Sequence, residues 1–157
     1  MPNANERSWF GSVAAPEYVS ATELVLQHEF SRHTRFTGSW YRYLRTNQMV
    51  YSDAIGDYAA TGTSRSHGLE IELESMCDNG IRTRRSMAWQ HAIDVDGAGL
   101  VNSPNFLVKF NLTFPMLANT LRTGLEGQYI GSRQTLEKRK LSGVALANLT
   151  FSSEQKW

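Results

Sequence analysis

Between His67 and Gln90 apolar and polar residues alternate with a period of two. Leu69, Ile71 and Leu73 interleave with Glu70, Glu72 and Glu74. A β-strand sends successive side chains to opposite faces, so this stretch predicts one aliphatic face and one carboxylate face. Asp78-Asn79-Gly80 predicts a tight turn, because Asn and Gly tolerate positive φ. On the returning strand Arg82, Arg84, Ser86, Ala88 and Gln90 share one face, and Ile81, Thr83, Arg85, Met87 and Trp89 the other. A three-residue loop with Gly80 left-handed sets Glu74 opposite Arg84 and Leu73 opposite Arg85. Polar face then meets polar face, and Arg85 is the one charge on the aliphatic side.

The same period recurs along the chain. Residues 1–21 read as an irregular segment broken by Pro2, Gly11 and Pro16. From Thr22 to Phe30, Leu24, Leu26 and Phe30 oppose Glu23, Gln27 and Glu29, with His28 among the apolar positions. Residues 34–50 predict a long aromatic strand whose faces the pattern does not assign, since Trp40 and Tyr41 fall on opposite sides. From Asn105 to Phe114, Phe106, Val108, Phe110, Leu112 and Phe114 oppose Leu107, Lys109, Asn111 and Thr113. Leu121, Thr123, Leu125, Gly127 and Tyr129 then oppose Arg122, Gly124, Glu126 and Gln128. A four-residue turn at 116–119 places Lys109 opposite Glu126. A last strand is expected over about 142–152.

About seven strands and no helix give an all-β fold, an antiparallel up-and-down meander of long strands. Its connections alternate. Those near 31–33, 77–80 and 115–119 are short, and those at 51–66, 94–104 and 131–140 are expected to be long polar loops. In an up-and-down sheet every second connection lies at the same end, so one end carries tight turns and the other extended loops. Two environments suit such strands. A soluble sheet hides its aliphatic face in a core. A membrane barrel turns that face to lipid and its charged face to a watery lumen.

Composition narrows the field. The 157 residues fit one domain, and 16 Lys plus Arg against 15 Asp plus Glu show no basic excess of the kind nucleic acid demands. No apolar run reaches the roughly 18 residues of a spanning helix, and residues 1–11 lack the apolar stretch of a signal peptide. A mean hydropathy of −0.40 argues against a helical membrane protein and not against a barrel, where half of each strand is polar. Cys77, the one cysteine, makes no internal disulfide. His28, His33, His67 and His91 lack the spacing of a metal site, so no metal or cofactor is expected. Gly97-Ala98-Gly99 lacks the third glycine of a dinucleotide loop, and no G-x-S-x-G occurs, so no catalytic residues are assigned.

Several segments in order resemble the later half of the barrel of TonB-dependent outer-membrane receptors. They are Ala15-Pro16-Glu17 with Thr22-Glu23-Leu24, Gly68 to Glu74, Asn79 to Arg82 with Trp89-Gln90, Asn102-Ser103-Pro104 with Lys109 and Asn111-Leu112, and Ala145 to Leu149. Each is weak alone; their order from about Pro16 onward makes the match specific. Arg85, Met87 and Cys77 depart from the family pattern. The resemblance implies an open segment of a 22-stranded transmembrane barrel, with residues 22–157 as a partial barrel domain. It implies a bacterial outer-membrane location, lipid as a neighbour, and a transport role for a bulky nutrient such as a siderophore–iron complex or cobalamin. No reaction is expected. The family's plug, through which TonB acts, and its terminal strand are not evident in this chain, which is therefore expected to be an internal piece.

On that reading Glu70, Glu72, Glu74, Arg82, Arg84, Lys109 and Glu126 line the lumen, and Tyr51, Asp53, Tyr58 and Arg133 are loop candidates for ligand contact, by position alone. Two other readings stand beside it. A complete lipocalin-like barrel would turn Phe106, Phe110 and Leu125 inward around an apolar ligand. A complete small outer-membrane barrel would need one further strand, within residues 8–19.

Overall fold

The computed structural model of the chain describes residues 16–52, 56–117, 120–135, 137 and 139–153. The alternation produces strands wherever it occurs: β1 (Tyr18–Ser31), β2 (Thr34–Ser52), β3 (Asp57–Met76), β4 (Arg82–Asp94), β5 (Phe106–Met116), β6 (Leu121–Ile130), β7 (Arg133–Gln134), β8 (Lys140–Leu141) and β9 (Val144–Ser153). Seven of them form one antiparallel sheet in the order β1-β2-β3-β4-β5-β6-β9, and β7 pairs with β8 separately. Neighbours in sequence are neighbours in space, so each hairpin closes cheaply and the sheet is a meander.

The turn at 77–80 sets the central register as the residues require. The Gly80 amide donates to the Cys77 carbonyl at 3.0 Å, and the Cys77 amide donates to the Ile81 carbonyl at 2.8 Å. Gly80 sits at φ +82°, and the Asn79 side-chain oxygen accepts the Ile81 amide at 3.2 Å. Glu74 then faces Arg84 and Leu73 faces Arg85. Parity carries across every pair: Leu69, Ile71, Leu73, Phe106, Val108, Phe110, Leu112, Leu121 and Leu125 share one face. Residues 34–50 now have faces too, with Trp40 beside Leu69 on the apolar side and Tyr41 opposite Gly68 on the polar side.

The sheet has no second layer. Among the described residues Ala92 is the one buried apolar residue, while Leu24 stands 69% exposed, Leu69 49% and Leu149 61%. A soluble domain of this size would bury most of such side chains. β1 and β9 occupy opposite edges and do not pair with each other. That overturns the lipocalin-like reading, since the described strands do not close and Phe106, Phe110 and Leu125 enclose no core. The eighth strand sought within residues 8–19 lies mostly outside the described residues, and β1 takes up residues 18 and 19.

Three expectations change. The loop at 51–66 is mostly strand: β2 runs to Ser52 and β3 starts at Asp57, giving strands of 19 and 20 residues. These strands are longer than the about 9–11 residues of a barrel span. The stretch 57–66 lacks apolar–polar alternation, so its composition mimics a loop. β1 likewise starts at Tyr18, four residues ahead of Thr22, while residues 1–15 lie outside the described ones. Lys109 faces Gln128, and Glu126 faces Asn111. The turn lies at 117–120, with Met116 paired to Leu121 and Leu117 at φ +47°. An apolar residue in that conformation gives no sequence signal, and the two-residue slip preserves parity.

Because Gly80 alone supplies the positive φ of the central turn, Gly80→Ala should destabilise the folded protein by about 1–2 kcal/mol. Denaturant unfolding followed by tryptophan fluorescence measures it; an unchanged midpoint would contradict the register argument.

Candidate functional site

The polar face carries the candidate chemistry. One register row runs Glu29, Arg35, Glu74, Arg84, Asn111, Glu126 and Asn148 from edge to edge. Arg35 bonds Glu74. Arg84 forks onto Glu72, with its Nε at 2.8 Å and an Nη at 3.0 Å from the two carboxylate oxygens, and its Nε lies 3.4 Å from Glu74. Such exposed pairs contribute little stability singly. The bidentate fork does hold both side chains in one geometry. A cavity of about 490 Å³ opens over this row at the turn end, lined by Arg35, Glu74, Arg82, Arg84, Asn111 and Thr113 among others. Lys109 and Glu126 line a second cavity of about 180 Å³.

Glu70, Glu72, Glu74, Arg82, Arg84, Lys109 and Glu126 thus share one face, as parity requires. The loop candidates do not come together. Tyr51 and Tyr58 are register partners in the β2–β3 hairpin, and Asp53 lies outside the described residues. Arg133 belongs to β7, on the β6–β9 connection, where Gly99, Leu100, Ser103, Gln134 and Lys140 join it around a cavity of about 210 Å³. The 94–104 loop meets that connection through the Asn102 amide, which donates to the Gln134 carbonyl at 2.9 Å.

Sequence reasoning missed a polar cluster further up the same face. Tyr41 lies across Gly68, and its hydroxyl donates to Gln90 Oε1 at 3.3 Å. Gln90 Nε2 donates to Ser103 Oγ at 3.1 Å and to the Pro104 carbonyl at 2.9 Å. Tyr43 stacks on Tyr41 with ring centroids 4.9 Å apart and donates to Glu23. A tyrosine two strands from a glutamine, with glycine between, is a signal that only the register reveals. The arrangement ties the 94–104 loop to the wall and offers two aromatic rings and a carboxylate to a ligand, with no nucleophile–base pair in the cluster.

A side chain at Gly68 would place Cβ 2.5 Å from both the Tyr41 hydroxyl and the Trp89 carbonyl oxygen. Gly68→Ala should therefore cost about 1–3 kcal/mol through overpacking. A Tyr41→Ala background should relieve that cost in part, since the backbone contact remains. A double-mutant cycle on unfolding free energy reads the coupling, and strict additivity would refute the packing account.

No family model and no curated protein matches the sequence. Solved structures do. The ferric-catecholate import receptor Fiu from E. coli K12 superposes with a TM-score of 0.71 at 17% identity, over 99% of this chain and 23% of that one. The FrpB iron transporter of Neisseria meningitidis gives 0.69 at 12% identity, over 88% of this chain and 23% of the transporter. The pyoverdine outer membrane receptor FpvA of Pseudomonas aeruginosa PAO1 gives 0.68 at 12% identity, with the same coverage of 88% and 23%. The chain therefore spans under a quarter of the length of each of these proteins. Its seven-stranded open sheet has the fold of a contiguous segment of a TonB-dependent outer-membrane receptor barrel.

Proposed function

We propose that this chain forms part of the wall of an outer-membrane receptor that imports a bulky, scarce nutrient, such as a siderophore–iron complex or cobalamin, with energy delivered by TonB through a plug domain. One observation carries the reading. A single-layer sheet exposes most of its large apolar side chains on one face and carries linked ion pairs across β2, β3 and β4 on the other. Water on both sides would leave the apolar face uncovered, whereas lipid on one side and a wet lumen on the other satisfy both faces. On this reading Glu70, Glu72, Glu74, Arg82, Arg84, Lys109 and Glu126 line the lumen. Residues 22–157 act as one partial barrel domain to which β1 adds Tyr18 to Ala21. The chain catalyses no reaction; it positions, and its loop end meets the ligand first. The similar structures are of a ferric-catecholate import receptor, an iron transporter, a pyoverdine receptor and the copper transporter OprC. That supports a metal-bearing cargo over cobalamin here. Uptake of labelled ferric-catecholate, ferric-hydroxamate, copper and cobalamin by cells expressing the full-length protein tests the cargo, and uptake that persists without TonB would exclude this mechanism.

Facing makes a sharper test. Val108 sits on the apolar face between Met87 and Tyr129, one row nearer the loop end than Arg85. Val108→Lys should cost about 2–4 kcal/mol in a bilayer for a position near the midplane, read by unfolding of the reconstituted protein. A neutral result would place Val108 in water and end the membrane reading.

Orientation is tested on intact cells. In a Cys77→Ser background, a membrane-impermeant maleimide should label Ala98→Cys, at the loop end, and spare Asn79→Cys, at the turn end. The reverse pattern would invert the sheet.

A further inference from the structure

The charges of the sheet are sorted by face. From the turn end up to the β2 irregularity at Asn47, every Asp and Glu with a register partner lies on the polar face. The apolar face carries no carboxylate over that span, and its arginines are Arg42, Arg65 and Arg85. Two of these stand together. Trp40, Leu69 and Trp89 form a row across β2, β3 and β4, and the next row toward the loop end is Arg42, His67 and His91. Arg65 lies two residues further along β3, between Leu44 and Ile93. The His67 ring is 5.8 Å from the Trp89 ring and 5.5 Å from that of His91. Arg42 and Arg65 form no ion pair among the described residues. Strand and residue spacings put the four side chains on a patch of about 10 Å by 7 Å. At the turn end the corresponding row is Thr34, Ser75 and Thr83, without a charge.

We propose that Arg42 and Arg65, with His67 and His91 beside them, bind the phosphates of a lipid headgroup in the leaflet at the loop end, while Trp40 and Trp89 sit at its acyl boundary. This rests on the membrane reading above. Tryptophan settles where an apolar body and a polar N–H meet lipid and water respectively. The guanidinium groups of Arg42 and Arg65, one and two rows higher, are then level with the headgroups, where their forks match phosphate oxygens. Among the described residues this outward-facing arginine pair has no carboxylate partner, and an anionic lipid supplies one. At the turn end Arg85 stands alone beside an uncharged hydroxyl row, so the arginine pair is found at the loop end only. The His67 and His91 rings add donors and flat surface.

The test uses the full-length protein in zwitterionic phospholipid vesicles with and without diphosphorylated lipid A. Native mass spectrometry reads retained lipid A, and quenching of Trp40 and Trp89 by brominated acyl chains reads insertion. Wild type should retain lipid A, and R42Q/R65Q should retain it about thirtyfold more weakly, the loss expected for two arginines at an anionic lipid surface. R45Q/R82Q removes the same charge from the polar face and should retain it as wild type does. Heat-dependent electrophoretic mobility confirms that each variant is folded. Normal quenching with equal retention in both double variants overturns the lipid site alone. Displacement of lipid A by excess inorganic phosphate would assign the patch to a free anion and likewise overturn it. Unquenched tryptophans in wild type would overturn this inference together with the membrane reading.

Discussion

The inter-strand hydrogen-bond ladder is what the rest of the molecule depends on. In a single layer no core exists to hold a strand in place, so pairing to the neighbour does that work. The ladder also decides the environment of every side chain, because a one-residue slip would move each leucine to the charged face. The turn at Cys77 to Ile81 is therefore more than a connection. Gly80 at φ +82° sets the parity of β3 against β4, and each further pair inherits it. The two-residue difference at Met116–Leu121 is harmless for the same reason that a one-residue difference would not be.

Parity in turn sorts the charges. Carboxylates gather on one face beside Arg35, Arg84 and Lys109, where ion pairs and water share their solvation. The other face keeps leucine, phenylalanine and tryptophan, with Arg42, Arg65 and Arg85 as its arginines. Arg85 lies three residues from the turn end of β4. In the proposed membrane setting its side chain snorkels to the interface, where an arginine costs less than at the bilayer centre. In that setting the Arg42 and Arg65 patch follows the same logic at the other end.

The polar face is built in two tiers. Near the turns, salt bridges stiffen the wall; nearer the loops, Tyr41, Tyr43 and Gln90 tie the wall to the 94–104 segment. Glu74 and Arg84 were legible because opposite charges at matching distances from a recognisable turn predict each other. The tyrosine cluster was not, since it depends on Tyr41 crossing Gly68 to reach a third strand. Nor was Arg133 separable from Tyr51 and Tyr58 as a loop residue, because which hairpins stand near one another is a property of the whole sheet.

The period of two, the turn chemistry at Asp78-Asn79-Gly80 and the alternation of short and long connections determined, without coordinates, an antiparallel meander with one apolar and one charged face. These features are local, and local steric and hydrogen-bonding rules suffice to read them. Tertiary structure alone decided that the apolar face remains uncovered and the edges unjoined, since alternation is identical for a sheet facing a core and one facing lipid. It also decided that residues 57–66 are strand. There apolar and polar residues do not alternate, so only pairing with β2 reveals the extension.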